Sequence, residues 1–117
     1  MDFAYVEGTV TGPTGKQVTT RFLIDSGAKY TLLPEPDWKQ IGLQPKRSLM
    51  FVLADGTTID RQVSEAHISL PVGDATTPII LGENGDQPLL GVVTLAILGI
   101  VLNPLTRTLQ PMRMLLA

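Results

Sequence analysis

Phe22-Leu23-Ile24-Asp25-Ser26-Gly27-Ala28 is the most informative stretch of this chain. Residues 17–24 alternate in polarity, and one side of the alternation carries Val18, Thr20, Phe22 and Ile24. This period of two predicts a half-buried strand. Asp25 therefore lies where a strand runs into a glycine-containing loop. A carboxylate in that position can be held by backbone amides while it stays accessible.

The composition favours a domain built from strands. The 117 residues fit one domain, spanning residues 1–117, with one core. Hydrophobic residues make up 44% of the chain and charged residues 17%, so the chain can bury a core. Aromatic residues are only 5%, and the many Val, Ile and Thr residues favour strands over helices. We expect a mainly β domain.

Charge and cysteine content exclude several classes of protein. The formal net charge of -2 supplies no basic surface for phosphate groups, so we expect no nucleic-acid partner. With no cysteine and one histidine, the chain can build neither a Cys–His dyad nor a His-Glu-x-x-His zinc site, and we expect no metal. No secretory signal is visible at the N-terminus, which makes the cytoplasm the expected location.

Two segments resemble features of other protein classes without matching them. Residues 89–102 are apolar, but they are too few to cross a hydrocarbon layer of ~30 Å, and Gly91 and Gly99 interrupt them. We therefore expect no membrane partner. Residues 12–16 lack the glycine spacing and the Ser or Thr of a phosphate-binding loop, so they predict a turn.

The first half of the chain predicts two hairpins and a short helix. The turn at residues 12–15 separates a strand over residues 3–10 from the strand that ends at Ile24. A helix follows Pro34 and ends at Gly42, with Trp38 and Ile41 towards the core. An apolar run at residues 49–53 and a returning arm at residues 58–70 flank Asp55-Gly56, a pair favoured in tight turns.

The second half predicts shorter elements. Residues 76–81 form a candidate strand, and residues 83–86 a polar turn. Leu89-Leu90-Gly91 leads into a helix over residues 92–98, which Gly99 closes and on which Val92, Leu95 and Ala96 share an apolar face. Residues 100–102 and the residues around Leu109 predict two more strands. His67, on the polar side of its strand, is expected to be a surface residue.

The stretch around Asp25 resembles the active-site loop of aspartic proteases, which is usually Asp-Thr-Gly or Asp-Ser-Gly followed by Ala or Ser. The order of the other elements is similar to that of retropepsin-like proteins, in particular to small prokaryotic members of this clan. In these proteins a flap hairpin follows the active-site loop, and two apolar residues plus Gly then precede a short helix. Here the flap corresponds to residues 49–63, and the apolar-apolar-Gly element to Leu89, Leu90 and Gly91.

The resemblance implies a closed, β-barrel-like retropepsin fold with a flap hairpin and one or two short helices. In this reading Asp25 is the catalytic carboxylate, and Ser26, Gly27 and Ala28 complete the active-site loop. The tip of the flap would consist of Ala54, Asp55, Gly56 and Thr57. The chain has one such Asp-Ser-Gly loop, since Asp55-Gly56-Thr57 has the wrong order. A homodimer is therefore expected, with the two Asp25 side chains meeting at its two-fold axis.

The resemblance also implies the chemistry. Two neighbouring carboxylates cannot both ionise cheaply, so they would share one proton, with one acting as base and the other as acid. The expected activity is endopeptidase cleavage of a peptide or protein substrate, favoured at acid pH and requiring no cofactor. Aspartic proteases are the standard case of this behaviour.

Several features leave alternatives open. Lys29 and Tyr30 stand where retroviral members often carry acidic residues, and Val92 stands where they carry a basic residue that braces the dimer. Substrate contacts and interface details are therefore not carried over to this chain. Residues 112–116 could form an interface strand or a tail. The competing function is a non-catalytic dimerisation or peptide-binding module with the same fold, and a third possibility is a monomer that becomes active only with a partner or at high concentration.

Overall fold

The fold is mainly β, as the sequence predicts. A computed structural model describes residues 4–113 and 116, and contains 49% strand and 12% helix. Its elements in chain order are β1 (Tyr5–Thr11), β2 (Gln17–Ile24), β3 (Thr31–Leu33), α1 (Glu35–Gln40), β4 (Arg47–Val52), β5 (Thr58–Leu70), β6 (Gly73–Leu81), β7 (Leu89–Leu90), α2 (Val92–Leu98), β8 (Ile100–Leu102) and β9 (Leu109–Pro111).

Seven of these strands form one sheet that closes on itself. The strand order is β1-β2-β7-β3-β6-β5-β4, and β1 also pairs with β5 through Thr9–Thr11 and residues 67–69. Six strands, in the order β1-β2-β7-β3-β6-β5, therefore form a hydrogen-bonded ring. Strand β4 lies outside the ring and pairs with β5 as one arm of a hairpin. This arrangement confirms the prediction of a retropepsin-like fold.

The core lies inside the ring and is mostly aliphatic. Phe22, Ile68 and Leu90 are fully buried there, beside other Leu, Ile and Val side chains. Fully burying one such side chain contributes about 1.5–3 kcal/mol. On β2, Phe22 and Ile24 point into the core while Gln17, Thr19 and Arg21 are exposed, which confirms the predicted alternation. That alternation sets the direction in which the chain leaves the strand at Asp25.

Helix α1 forms where the sequence predicts it. Pro34 is the extended N-cap residue, and Pro36 lies in the first turn, where a proline restricts φ to helical values without removing a needed donor. Ile41, just past the end, is fully buried, and Trp38 packs against the core. The indole Nε1 of Trp38 donates a hydrogen bond of 2.8 Å to the Gly82 carbonyl. This bond attaches the helix to the turn that follows β6.

Helix α2 has the predicted bounds and the predicted apolar face. Gly99 ends the helix in a left-handed conformation with φ of 70°, as expected for a C-terminal glycine. The sequence predicts that Val92, Leu95 and Ala96 share one face, and all three line the same pocket. Val92 and Ala96 are nevertheless exposed, and Thr94 is buried with Leu95. The burial of Thr94, which packs between β3 and β6, was not predicted.

Strands β8 and β9 form a separate two-stranded antiparallel sheet with three residue pairs. Met112 extends this region by donating its amide hydrogen to the Gly99 carbonyl at 2.7 Å. The possible interface strand at residues 112–116 includes residues 114 and 115, which lie outside the described residues. The predicted first strand began at residue 3, which also lies outside them. Neither helix of the described chain is long and apolar enough to span a bilayer.

Candidate active site

Asp25 lies at the end of β2, where neighbouring segments hold the backbone on both sides. Leu23 and Ile24 pair in parallel with Leu89 and Leu90 of β7. The Ile24 amide donates to the Ala4 carbonyl at 2.9 Å, and the Asp25 amide donates to the Leu90 carbonyl at 3.2 Å. The chain therefore leaves the sheet at a position that its strand partners define.

The loop after Asp25 holds the carboxylate with a backbone amide. The Gly27 amide donates to Oδ1 of Asp25 at 2.9 Å, and the Ala28 amide donates to the Asp25 carbonyl at 3.0 Å. Asp25 is half-buried, while Ser26 and Gly27 are exposed. A Cβ atom on Gly27 would lie 3.2 Å from Oδ1 of Asp25, which is closer than Cβ atoms usually approach another group. The loop thus orients a carboxylate and leaves it accessible, as the sequence predicts.

The Leu89-Leu90-Gly91 element meets this loop directly. Two amides at the start of α2 donate to it: Val92 to the Ala28 carbonyl at 3.0 Å, and Val93 to the Lys29 carbonyl at 2.9 Å. Gly91 is buried against the loop, because a Cβ atom there would lie 2.6 Å from the Tyr30 carbonyl oxygen. The structure therefore brings together two predicted site segments that are more than 60 residues apart in the sequence.

The third predicted segment forms the tip of the β4–β5 hairpin. Ala54, Asp55, Gly56 and Thr57 are all exposed. Asp55 Oδ1 accepts hydrogen bonds from the Thr57 hydroxyl at 2.6 Å and from the Thr57 amide at 3.0 Å. These bonds, the hydroxyl bond first, lower the pKa of Asp55 below its usual 3.8. Gly56 has φ of 86°, a left-handed value that glycine adopts without strain.

The hairpin contacts the active-site loop through Phe51, close to the end of β4 that leads into the tip. The ring of Phe51, on β4, meets the ring of Tyr30 edge to face, with centroids 6.2 Å apart. The hydrogen bonds between Asp55 and Thr57, and those that Leu53 makes with Gly56 and Thr57, stay within the turn. The Phe51–Tyr30 contact was not predicted, although the presence of one aromatic residue in each segment was visible in the sequence.

Three leucines lie side by side on the strands next to Asp25. Leu89 of β7 is in register with Leu23 of β2 on one side and with Leu32 of β3 on the other. All three side chains are half-buried. Directly paired residues share a face of a sheet, and Leu23 shares that face with Asp25, two residues further along. An apolar surface therefore adjoins the carboxylate, which sequence analysis did not predict because it depends on strand order.

A second apolar surface begins at Ser26, on α2 and the β8–β9 sheet. A pocket of ≈ 130 Å³ is lined by Ser26 and by apolar side chains that include Val92, Ala96 and Val101. Val92, Ile97 and Val101 are 38%, 48% and 44% exposed, respectively. We call Val92, Ala96 and Val101 the α2–β8 patch. Two of its members, Val92 and Ala96, lie on the apolar helix face that the sequence predicts.

Three buried threonines lie behind the loop and were not predicted. Thr31, Thr77 and Thr94 are at most 1% exposed, and their hydroxyl groups contact one another. Thr31 follows the active-site loop, Thr77 lies on β6 and Thr94 on α2. Threonine is common in strands, so its presence in the sequence gave no sign of this cluster.

The remaining candidate groups have ordinary surroundings. His67 lies on β5 with 43% of its side chain exposed, and its Nε2 is 2.8 Å from Asp74 Oδ2. It is a surface residue, as predicted. In the described part of the chain, no three His, Cys, Asp or Glu residues come together in a way that could hold a metal ion.

Comparison with known proteins connects this geometry to a family. A family model described as gag-polyprotein putative aspartyl protease matches residues 10–96. The matched range contains the Asp25 loop, the β4–β5 hairpin and the Leu89-Leu90-Gly91 element. A comparison with curated proteins gives no match.

Proposed function

This chain belongs to the family of gag-polyprotein putative aspartyl proteases, and from that membership we propose that it is an aspartic endopeptidase. In the proposed enzyme, Asp25 of one subunit and Asp25 of a second copy lie together at a two-fold axis. The pair activates a water molecule that attacks a peptide carbonyl. No metal or organic cofactor takes part.

The observation that carries this proposal is the geometry of the Asp25 loop. The Gly27 amide holds one carboxylate oxygen at 2.9 Å, and the loop itself is held by β7 and by the first amides of α2. A carboxylate fixed in this way can act as a general base on water without first reorganising. Its half-buried position also keeps it within reach of a substrate.

The chemistry of peptide hydrolysis requires a second acidic group. One group accepts a proton from water while the other donates a hydrogen bond to the scissile carbonyl. The chain has one Asp-Ser-Gly loop, so we place the second carboxylate on another copy of the chain. The active site is incomplete in a single subunit.

The α2–β8 patch supports this assembly. It begins at Ser26, in the catalytic loop, and its valine side chains are exposed in the single chain. The adjoining β8–β9 sheet has only two strands, and such sheets are marginally stable alone. A second copy packed on this surface would cover the apolar side chains, give the sheet a partner and bring the two Asp25 loops together.

We propose that the β4–β5 hairpin acts as a flap. An extended peptide would lie between it and the Asp25 loop, with Leu23, Leu32 and Leu89 beneath the peptide side chains. Backbone hydrogen bonds of the kind formed when a strand is added to a sheet would hold the peptide, and closure of the flap would exclude water. The Phe51–Tyr30 contact joins the tip-side end of β4 to the catalytic loop.

The test is cleavage of a mixed peptide library from pH 3 to pH 7 by the wild type and by Asp25→Asn. Asparagine keeps the shape of the side chain but cannot accept a proton from water, so we expect cleavage to fall by ~10²–10⁴-fold. In the wild type, cleavage should be favoured at acid pH, where the pair holds one proton, and should decline on dilution as the dimer dissociates.

The matched control is Asp74→Asn, which changes the same side chain in the surface pair with His67 and should leave cleavage unchanged. If the wild type forms a folded dimer by sedimentation but cleaves no peptide at any pH or concentration, the endopeptidase proposal is wrong. That result would instead support a non-catalytic module with the same fold, which binds peptides or only dimerises.

A further inference from the structure

We propose that Thr94 is a positioning residue for the catalytic loop, acting through a chain of buried hydroxyl groups formed with Thr31 and Thr77. The proposal rests on the proposed endopeptidase function, since the group that it positions is Asp25. Thr94 lies on α2 and touches neither substrate nor the reacting atoms. Its effect passes through the backbone of the loop.

The hydroxyl chain is short and fully enclosed. Thr94 Oγ1 lies 2.6 Å from Thr31 Oγ1 and 2.7 Å from Thr77 Oγ1. Thr31 and Thr94 have no exposed surface, and Thr77 is 1% exposed. Both distances are typical of strong hydroxyl hydrogen bonds. Thr94 on α2 therefore links β3, the strand that follows the Asp25 loop, to β6.

The hydroxyl chain has a backbone group at each end. At one end the Gly91 amide donates to Thr31 Oγ1 at 3.1 Å. At the other end Thr77 Oγ1 lies 3.5 Å from the Pro78 carbonyl, which can only accept. One arrangement that uses all three hydroxyl protons has Thr31 donating to Thr94, Thr94 donating to Thr77, and Thr77 facing the carbonyl. Each proton is used once, so removing the middle hydroxyl disrupts both of its neighbours.

This chain ends at the segment that holds the catalytic loop. Gly91, whose amide is bound by Thr31, packs against the backbone of Lys29 and Tyr30 with no room for a side chain. The next two amides, of Val92 and Val93, donate to the Ala28 and Lys29 carbonyls. Thr94 follows them on the same turn of α2. The hydroxyl chain therefore determines where the start of α2 lies, and those amides determine where the loop after Asp25 lies.

A role in geometry explains why polar side chains occupy this buried place. Apolar side chains of similar shape could fill the space without needing partners, and replacing all the members of a buried hydrogen-bonded group in that way can be nearly neutral for stability. Hydrogen bonds have preferred distances and angles that apolar contacts lack, so a fully paired network defines one arrangement of its elements. Here the defined arrangement is that of β3, β6 and α2 around the loop.

The experiment compares the kinetics of three variants with the wild type in the full chain. Thr94→Val keeps the shape and removes the hydroxyl, Thr94→Ser keeps the hydroxyl, and Ile68→Val trims a fully buried core side chain on β5. For Thr94→Val we expect kcat to fall about ten- to a hundredfold with little change in KM, because a small misplacement of a catalytic group lowers the rate steeply. Thr94→Ser should restore most of kcat, and Ile68→Val should keep it.

Three kinetic results would overturn the proposal. The first is a Thr94→Val enzyme whose kcat stays near that of the wild type. The second is an equal loss of kcat in Thr94→Val and in an Ile68→Val enzyme of the same thermal stability, since general destabilisation would then explain the loss. The third is a Thr94→Ser enzyme that behaves like Thr94→Val, which would contradict a role for the hydroxyl.

Hydrogen exchange separates this proposal from the proposed function. The amides of Gly91, Val92 and Val93 should exchange faster in Thr94→Val than in Thr94→Ser or Ile68→Val, whether or not the protein cleaves peptides. If the wild type is inactive, the endopeptidase proposal fails and the exchange rates alone decide whether the hydroxyl positions the loop. Unchanged exchange of these three amides in Thr94→Val would refute the positioning role.

Discussion

Gly91 shows how a single residue sets the distance between helix α2 and the loop after Asp25. The backbone of Lys29 and Tyr30 occupies the space that a side chain at this position would need. Because the start of α2 can approach so closely, its amides reach the Ala28 and Lys29 carbonyls. The glycine is needed here for space, since its φ of -96° is available to any residue.

We predict that Gly91→Ala destabilises the protein by about 3 kcal/mol or more, the upper part of the range for overpacking, because backbone atoms must move to admit the new methyl group. Gly15→Ala is the control, since a Cβ atom there meets nothing within 4 Å. Its φ of 90° should cost only about 1–2 kcal/mol of backbone strain. Urea unfolding followed by circular dichroism measures both losses, and equal losses would contradict this account.

At the scale of elements, the β4–β5 hairpin combines a well-defined turn with an exposed position. Asp55 and Thr57 close the turn by two side-chain hydrogen bonds, while the strands of the hairpin extend beyond the closed ring. The ionised form of Asp55 accepts these bonds, so its pKa is lower in the folded protein than in the unfolded chain. Their contribution to stability is therefore present above pH 3.8 and is lost as the pH falls through the lowered pKa.

We expect Thr57→Val to raise the pKa of Asp55 towards 3.8, because the variant removes the hydroxyl bond that contributes most to the lowering. Thr58→Val is the control, since its hydroxyl is not among the groups that bind Asp55. Carbon-detected NMR titration of the Asp55 carboxyl group gives both values. A pKa that is the same in Thr57→Val as in the wild type would show that the hydroxyl bond does not lower it.

For the whole molecule, the proposed dimer depends on a surface that lies beside a loop distant from it in the sequence. The α2–β8 patch adjoins Ser26, so a partner packed on it would also lie next to Asp25. Assembly and catalysis are therefore expected to share one surface. A change in the patch should affect both without unfolding the subunit, because its side chains are already exposed in the single chain.

We predict that Val101→Glu shifts the protein from dimer to monomer and lowers cleavage at a given concentration, because the buried interface would hold an unpaired charge. Val72→Glu is the control: Val72 is also 44% exposed but lies outside the patch, between β5 and β6. Sedimentation velocity over a range of concentrations measures the shift. Equal dimer affinity in both variants would place the interface elsewhere.

Local pattern alone predicts much of this protein. The alternation of β2, the turns near Gly15 and Gly56, and the bounds of α2 all follow from rules that act over a few residues. The Asp25 loop and the Leu89-Leu90-Gly91 element were identified through their resemblance to the motifs of aspartic proteases and through the order of those motifs along the chain. These properties were determined by the sequence because their physical causes are local.

Tertiary structure alone decided which residues meet. The burial of Thr94 on α2 was not predicted, because the side of a helix that is buried depends on its neighbours, and here Thr94 packs against Thr31 and Thr77. The row formed by Leu23, Leu32 and Leu89 depends in the same way on strand order. These contacts join segments that are far apart in the sequence. They form only when the strands pair in the order of the closed ring, so no single stretch of sequence determines them.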